Sequence, residues 1–284
     1  MGRAYFPKNK ESLRGLIERD IPGDQIDVSR ITDMSYLFRG TYYNHPLDSW
    51  DVSQVTHMEY MFYNSKYNHP LDSWNVSNVK NMRGMFYGSK FNHPLGSWNT
   101  HNVRHMNRMF LGSQYNHPLG SWDTCSVKSM EGMFNGSRYN HPLDSWNVSQ
   151  VKSMYYMFAE SQYNHPLGKW DTRRVTDMNN MFDRSEFNHP LNSWNTSNVI
   201  YMSCMFAESQ YNHPLDLWNV NNVLYMDYMF DRSKFNNPLN NWKVRRTCST
   251  KYMLTNSRYT YPRIQKRRDP KDPMDLPSEL IIPL

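Results

Sequence analysis

Cysteine is scarce: the 284-residue chain has three, Cys125, Cys204 and Cys248. None belongs to a Cys-x-x-Cys pair, which argues against a disulfide framework and against a structural zinc site. Long hydrophobic runs are missing too. No stretch approaches the roughly 20 apolar residues needed to span a bilayer, and residues 1–26 lack the apolar segment of a signal peptide. Glycine numbers only 12, and neither a Gly-rich phosphate loop nor a His-Glu-x-x-His motif occurs. A strong charge of one sign is lacking over most of the chain. The net charge is +6, but residues 27–242 carry 17 Lys and Arg against 18 Asp and Glu, while residues 243–284 carry 10 against 4. Nucleic-acid binding is therefore not expected of the body, and any such role falls to the basic tail. Hydrophobic residues make up only 38% of the chain, yet they are bulky: 20 Met, 20 Tyr, 13 Phe and 9 Trp. Disordered chains are poor in such residues.

The tryptophans lie at 50, 74, 98, 122, 146, 170, 194, 218 and 242, always 24 residues apart. Numbering positions 1–24 from Asp27 to Trp50, the unit reads [DN]-[VT]-S-x-V-x-x-M-x-x-M-F-x-x-S-x-[YF]-N-H-P-L-x-x-W, and nine gapless copies fill residues 27–242. A fixed period of this length is the signature of stacked repeats, each unable to bury its apolar face alone. Val55, Met58 and Met61 recur three apart, followed directly by Phe62. That spacing suits neither a long helix nor an alternating strand. It predicts a coil of short strands and 3₁₀ or irregular corners, with a strand near Met61–Phe62, a corner at Asn68–Leu71 and a further bend at Asp48–Val52. At the usual strand spacing of about 4.8 Å, each repeated residue becomes a column. Val, the two Met, Phe, Leu and Trp are the expected core.

Residues 1–26 are expected to cap the first coil through a short helix over 9–20. There Asn9 caps, and Leu13, Leu16 and Ile17 share one face. Residues 243–262 keep Val244, Met253, Ser257, Tyr259 and Pro262 and read as a degenerate tenth repeat, with Thr247 and Thr250 replacing Val and Met. Residues 263–284 read as a basic, Pro-rich mobile tail ending in an apolar Leu280-Ile281-Ile282.

Units such as Asn75-Val76-Ser77-Asn78-Val79, then Met82, Met85-Phe86, Phe91-Asn92, Pro94-Leu95 and Trp98, resemble the BspA-like bacterial surface-protein repeat, a divergent relative of leucine-rich repeats. The resemblance covers residues 27–242. It implies a leucine-rich-repeat-like solenoid, surface association and adhesion or protein binding, with no catalytic residues and no cofactor. No secretion signal, lipoprotein cysteine or sorting motif accompanies it, so the compartment stays open.

Chemistry is sought where the repeat varies. Position 6 reads Thr32, Thr56, Lys80, Arg104, Lys128, Lys152, Thr176, Ile200 and Leu224, a run of four cations with apolar residues farther along. With Arg83, His105, Arg108, Tyr155 and Tyr156 nearby, the expected binding face is Lys80, Arg83, Arg104, His105, Arg108, Lys128, Lys152, Tyr155 and Tyr156, since Arg and Tyr are favoured interface anchors. Ile200, Tyr201, Leu224, Tyr225 and Tyr228 extend it as an apolar patch. The histidines at position 19, His45 to His213, invite a metal-binding or pH-sensing reading. A straight row does not enclose a tetrahedral site, however, and turn residues bonded to backbone are the simpler account, so no metal is expected. Repeated Ser and His do not make a unique constellation, so catalysis is not expected either. A protein partner is the first reading. Self-association into a structural layer and nucleic-acid binding through the tail are the alternatives.

Overall fold

A computed structural model describes residues 3–267. Its one α-helix among the described residues, α1, runs Lys10–Glu18. Asn9 caps it by accepting from the Ser12 N–H at 2.9 Å, while the Ser12 hydroxyl accepts from the Asn9 N–H at 3.2 Å. These bonds satisfy donors that a helix start leaves open. Leu13, Leu16 and Ile17 are buried and join the same core as the coils. A parallel bridge between Tyr5 and Ile26 then leads into the first coil.

From there the chain turns every 24 residues. Parallel one-residue bridges run along position 7: Asp33 to His57, Asn81, His105, Ser129, Ser153, Asp177, Tyr201, Tyr225 and Ser249. The strand expected near Met61–Phe62 is not there. The bridged residue of coil two is His57, and Met61–Phe62 lie in turns. The reason is conformational. Tyr60 and Asn64 have φ of 50° and 51°, outside the strand region. Donors alternate accordingly. The N–H groups of Met58, Tyr60, Phe62 and Asn64 reach carbonyls of Asn81, Arg83, Met85 and Tyr87 in the next coil, whereas those of Met61, Tyr63 and Ser65 close turns onto residues three back. Every second amide joins coils and the others fold the corner, so the backbone is satisfied with almost no regular strand.

The expected apolar set is buried in each coil: in coil two Val52, Val55, Met58, Met61, Phe62, Leu71 and Trp74 are all at most 3% exposed. Position 17 was not expected in the core and belongs to it. Tyr67, Phe91, Tyr115 and their equivalents are buried and lie against the Phe of the same coil, as in Phe110–Tyr115 at 4.5 Å. Tryptophan's polar edge is also used. The indole N–H of Trp74 donates to the Leu47 carbonyl at 2.9 Å, a residue of the preceding coil. The same bond recurs from Trp98 to Trp242, and Trp50 donates to Gly23.

Column spacing is not uniform. Phe rings of successive coils lie 5.5–5.8 Å apart from Phe62 onward, and Trp rings lie 6.2–6.5 Å apart from Trp74 to Trp146 and from Trp170 to Trp242. On the bridged side the position-7 rings of Tyr201 and Tyr225 lie closer, 5.4 Å apart. The equivalent rings are nearly parallel, so these distances measure the local rise. The stack therefore fans outward toward tryptophan and bends with the position-7 side concave.

At the far end, two expectations change. Cys248, not Thr247, takes the inward place of the repeat valine: Cys248 is 1% exposed and Thr247 is exposed. The ordered chain also runs past the expected boundary at 262. Lys266–Arg267 (β2) pair in parallel with Val244–Arg245 (β1), and Arg267 bonds Asn221. The remainder of the tail, including residues 280–282, lies outside the described residues.

Two substitutions test this packing. The hydroxyl of Tyr139 is buried without a hydrogen-bond partner, and the Leu119 carbonyl already accepts from the Trp146 indole and the Trp122 N–H. Phe occupies the same column at Phe91, Phe187 and Phe235. Thermal unfolding should therefore show Tyr139→Phe unchanged or more stable. Trp146→Phe should lose about 0.5–1.5 kcal/mol from the missing indole bond alone, since the Leu119 carbonyl keeps the Trp122 N–H at 3.1 Å. The reverse order would contradict the indole bond.

Candidate functional site

The constant side of the stack uses its polar groups to hold the stack together. Each position-18 Asn side chain accepts from the next coil's position-18 N–H at 2.8–3.0 Å, from Asn44 to Asn212, and Asn236 does the same for Thr260. The Nε2 atoms of His69 to His213 lie 2.8–3.0 Å from the preceding coil's Asn carbonyl. A carbonyl only accepts, so each Nε2 carries a proton and has no lone pair for a metal. His45, at the start, faces Asp20 instead at 3.2 Å. The histidine column is a structural zipper.

The variable side differs. Position 6 is a backbone column in which the Lys80 N–H donates to Thr56, Arg104 to Lys80, Lys128 to Arg104 and Lys152 to Lys128, at 2.9–3.2 Å. The four cationic residues are therefore in register and exposed. Along the same column Ile200 and Leu224 follow, and an open cleft of about 680 Å³ brings them together with Lys152, Arg174 and Arg245. Arg108, Tyr155 and Tyr156 meet elsewhere, in a cleft of about 270 Å³ shared with Glu131 and Gly132. The Tyr155 and Tyr156 rings stand edge to face at 4.4 Å. Arg83 lies over the Tyr60 ring at 5.8 Å, and His105 sits in the bridge column and is exposed. Seven of the nine expected residues thus fall into two groups, the position-6 cations and an Arg–Tyr cleft, while Arg83 and His105 belong to neither. The expected apolar patch is present as surface: Tyr201 and Tyr225 stack at 5.4 Å while 39% and 45% exposed.

Gly132 opens the small cleft. Its φ is 57°, and outside coils three and five position 10 holds Tyr, Arg, Asn or Cys. A glycine among such residues was the signal for a recess, and sequence reasoning passed over it. It also passed over a second departure. His101 and Cys125 both replace the serine of position 3 and lie in consecutive coils. His101 Nδ1 is 2.8 Å from Asp123 Oδ2 and 3.8 Å from Cys125 Sγ. The imidazole holds the Asp123 carboxyl below its ordinary value, and the hydrogen bond to Asp123 pushes the Cys125 thiol up. Among the described residues this is the one group of His, Cys and acidic side chains arranged to hold a metal ion.

In coils six to nine position 14 alternates in sign: Glu160, Arg184, Glu208 and Arg232. Arg184 lies between Glu160 and Glu208 at 3.5 and 3.4 Å, and Arg232 reaches Glu208 at 3.6 Å. Exposed pairs of this kind contribute about 0–1 kcal/mol each. Asp183 beside them is half-buried. Burial raises its carboxyl above the ordinary value, against the Asn180 hydrogen bond and Arg184, with Glu208 and Glu160 adding to the rise. The folded chain holds this proton more tightly than the unfolded chain does. The resulting cost is present above the folded pKa and disappears as pH falls below the unfolded one. Asp183→Asn should therefore raise the melting temperature at pH 7 and lose that advantage in acid. A gain that persists unchanged in acid would assign the effect to something other than charge.

No helix among the described residues is long and apolar enough to cross a membrane. No curated protein matches the chain. A family model described as a Mycoplasma protein of unknown function, DUF285, matches residues 8–115, 88–186 and 159–266. The three matches overlap and together run from near the capping helix to the β2 segment, as a repeat family requires. The chain belongs to the DUF285 repeat family.

Proposed function

We propose that this chain is a non-catalytic protein–protein interaction scaffold of the surface-associated, adhesin-like kind, built as a leucine-rich-repeat-like solenoid with BspA-like units. One observation carries the reading: at positions 6, 7, 9 and 10 the outward residue changes from coil to coil. There four cations align in register beside an Arg–Tyr cleft, while the repeated residues are taken up by the core and by bonds between coils. A surface that keeps its scaffold constant and changes its outward residues is suited to recognition rather than turnover. Ser and His of the unit are bonded to neighbouring backbone, as in Ser121 to Gly96 and His117 to Asn92, which leaves them no nucleophile–base pairing.

The cations define the partner as an acidic protein surface, with Arg108, Tyr155 and Tyr156 as anchors. The chain, immobilised and exposed to proteins of its native source, should retain a partner that the Lys128→Glu/Lys152→Glu double variant binds about tenfold more weakly or not at all. Lys169→Glu, a charge reversal at position 23 on the tryptophan side, should bind as the parent does. Equal retention by the parent and the double variant would reject this face.

A further inference from the structure

We propose that His101, Asp123 and Cys125 form a binding site for one zinc ion, or a divalent transition metal of the same borderline-soft class. The proposal is independent of the scaffold reading. Position 3 is serine at Ser29, Ser53, Ser77, Ser149 and Ser197. The two coils that depart from it with metal-binding side chains are adjacent, and the 24-residue register sets those side chains over one another. Position 1 of the second of these coils supplies a carboxylate, Asp123, where coils three, four and six have Asn75, Asn99 and Asn147.

The geometry is close to what a metal needs. The three donor atoms lie within 4.8 Å of one another. Zn–N and Zn–O distances of about 2.0 Å and Zn–S of about 2.3 Å give tetrahedral edges of roughly 3.3–3.6 Å, so small rotations of these surface side chains suffice. The carboxylate is already oriented, because its Oδ1 accepts from the Cys125 N–H at 3.0 Å and its Oδ2 is left facing the imidazole. Such fixing of a ligand by its outer contacts is typical of metal sites. Imidazole, thiolate and carboxylate together suit zinc. A cysteine nucleophile fits the same residues worse. A triad needs the two ring nitrogens to face acid and thiol separately, and here one atom, Nδ1, faces both. Three protein ligands leave a fourth position open to water.

Metal-free full-length chain should be titrated with zinc chloride by calorimetry and, separately, with cobalt(II). The expected result is one equivalent of zinc bound and a thiolate-to-cobalt charge-transfer band. His101→Ser and Cys125→Ser restore the repeat's own residue, and Asp123→Asn installs the residue of other coils, so all three variants are compatible with the fold. Each should weaken zinc by at least the roughly 10–100-fold that loss of an outer contact costs, and Cys125→Ser should abolish the cobalt band. Absence of zinc uptake by the parent, or uptake unchanged in both His101→Ser and Asp123→Asn, would overturn the site.

Discussion

Each tryptophan in this protein closes the coil before its own. Its indole N–H ends on a leucine carbonyl 27 residues earlier, at 2.8–2.9 Å from Trp74 to Trp242. That carbonyl already closes a turn within its own coil, as Leu119 does by accepting the Trp122 N–H at 3.1 Å, so the indole takes its second lone pair and ties the corner to the next coil. The largest side chain of the unit is thus both core filler and backbone cap. Both roles require the preceding coil to be present, which couples neighbours and forces the 24-residue period to be kept without insertion. The asparagine and histidine columns obey the same rule from the outside. Their polar atoms are satisfied across the coil boundary, not within the coil.

The period, the nine units, the capping helix and most of the core were legible because a repeated apolar residue has only one place to go in a stack. What the residues did not disclose was backbone conformation. A three-residue apolar spacing is equally compatible with a short strand and with consecutive turns. The deciding feature is a positive φ at Tyr60, Tyr156 and Tyr228, which bulky residues seldom adopt and which sequence rules therefore assign elsewhere. Glycine at the same position in coils three and five was the available hint. Position 17 was missed for a different reason. A tyrosine carries a polar end that suits surface as well as core. Yet phenylalanine replaces it in three coils, and the ring stacks on the core with its hydroxyl unpaired at Tyr67, Tyr115, Tyr139, Tyr163 and Tyr211.

The candidate site was legible as a set of variable positions but not as a shape. Residues four apart along this chain, such as Arg104 and Arg108, belong to different columns, because a tight corner separates positions 6 and 10. Arg104 joins the cation column, whereas Arg108 lines the tyrosine cleft. Pairing that does matter is vertical. Lys128 and Lys152 are neighbours across 24 residues, as are His101 and Cys125. Reading cysteines only against other cysteines hid the second pair, since its partner is an imidazole in the preceding coil.

The unequal rise of the columns has a consequence for size. Because the tryptophan edge advances farther per coil than the bridged edge, every added unit turns the next by a similar small angle. The bonded edge thereby becomes the inside of an arc whose sweep grows with repeat number. Gene-level gain or loss of one 24-residue unit would alter not just the area offered to a ligand but how far the arc encloses it, so repeat count itself is a variable on which fit to a convex object depends.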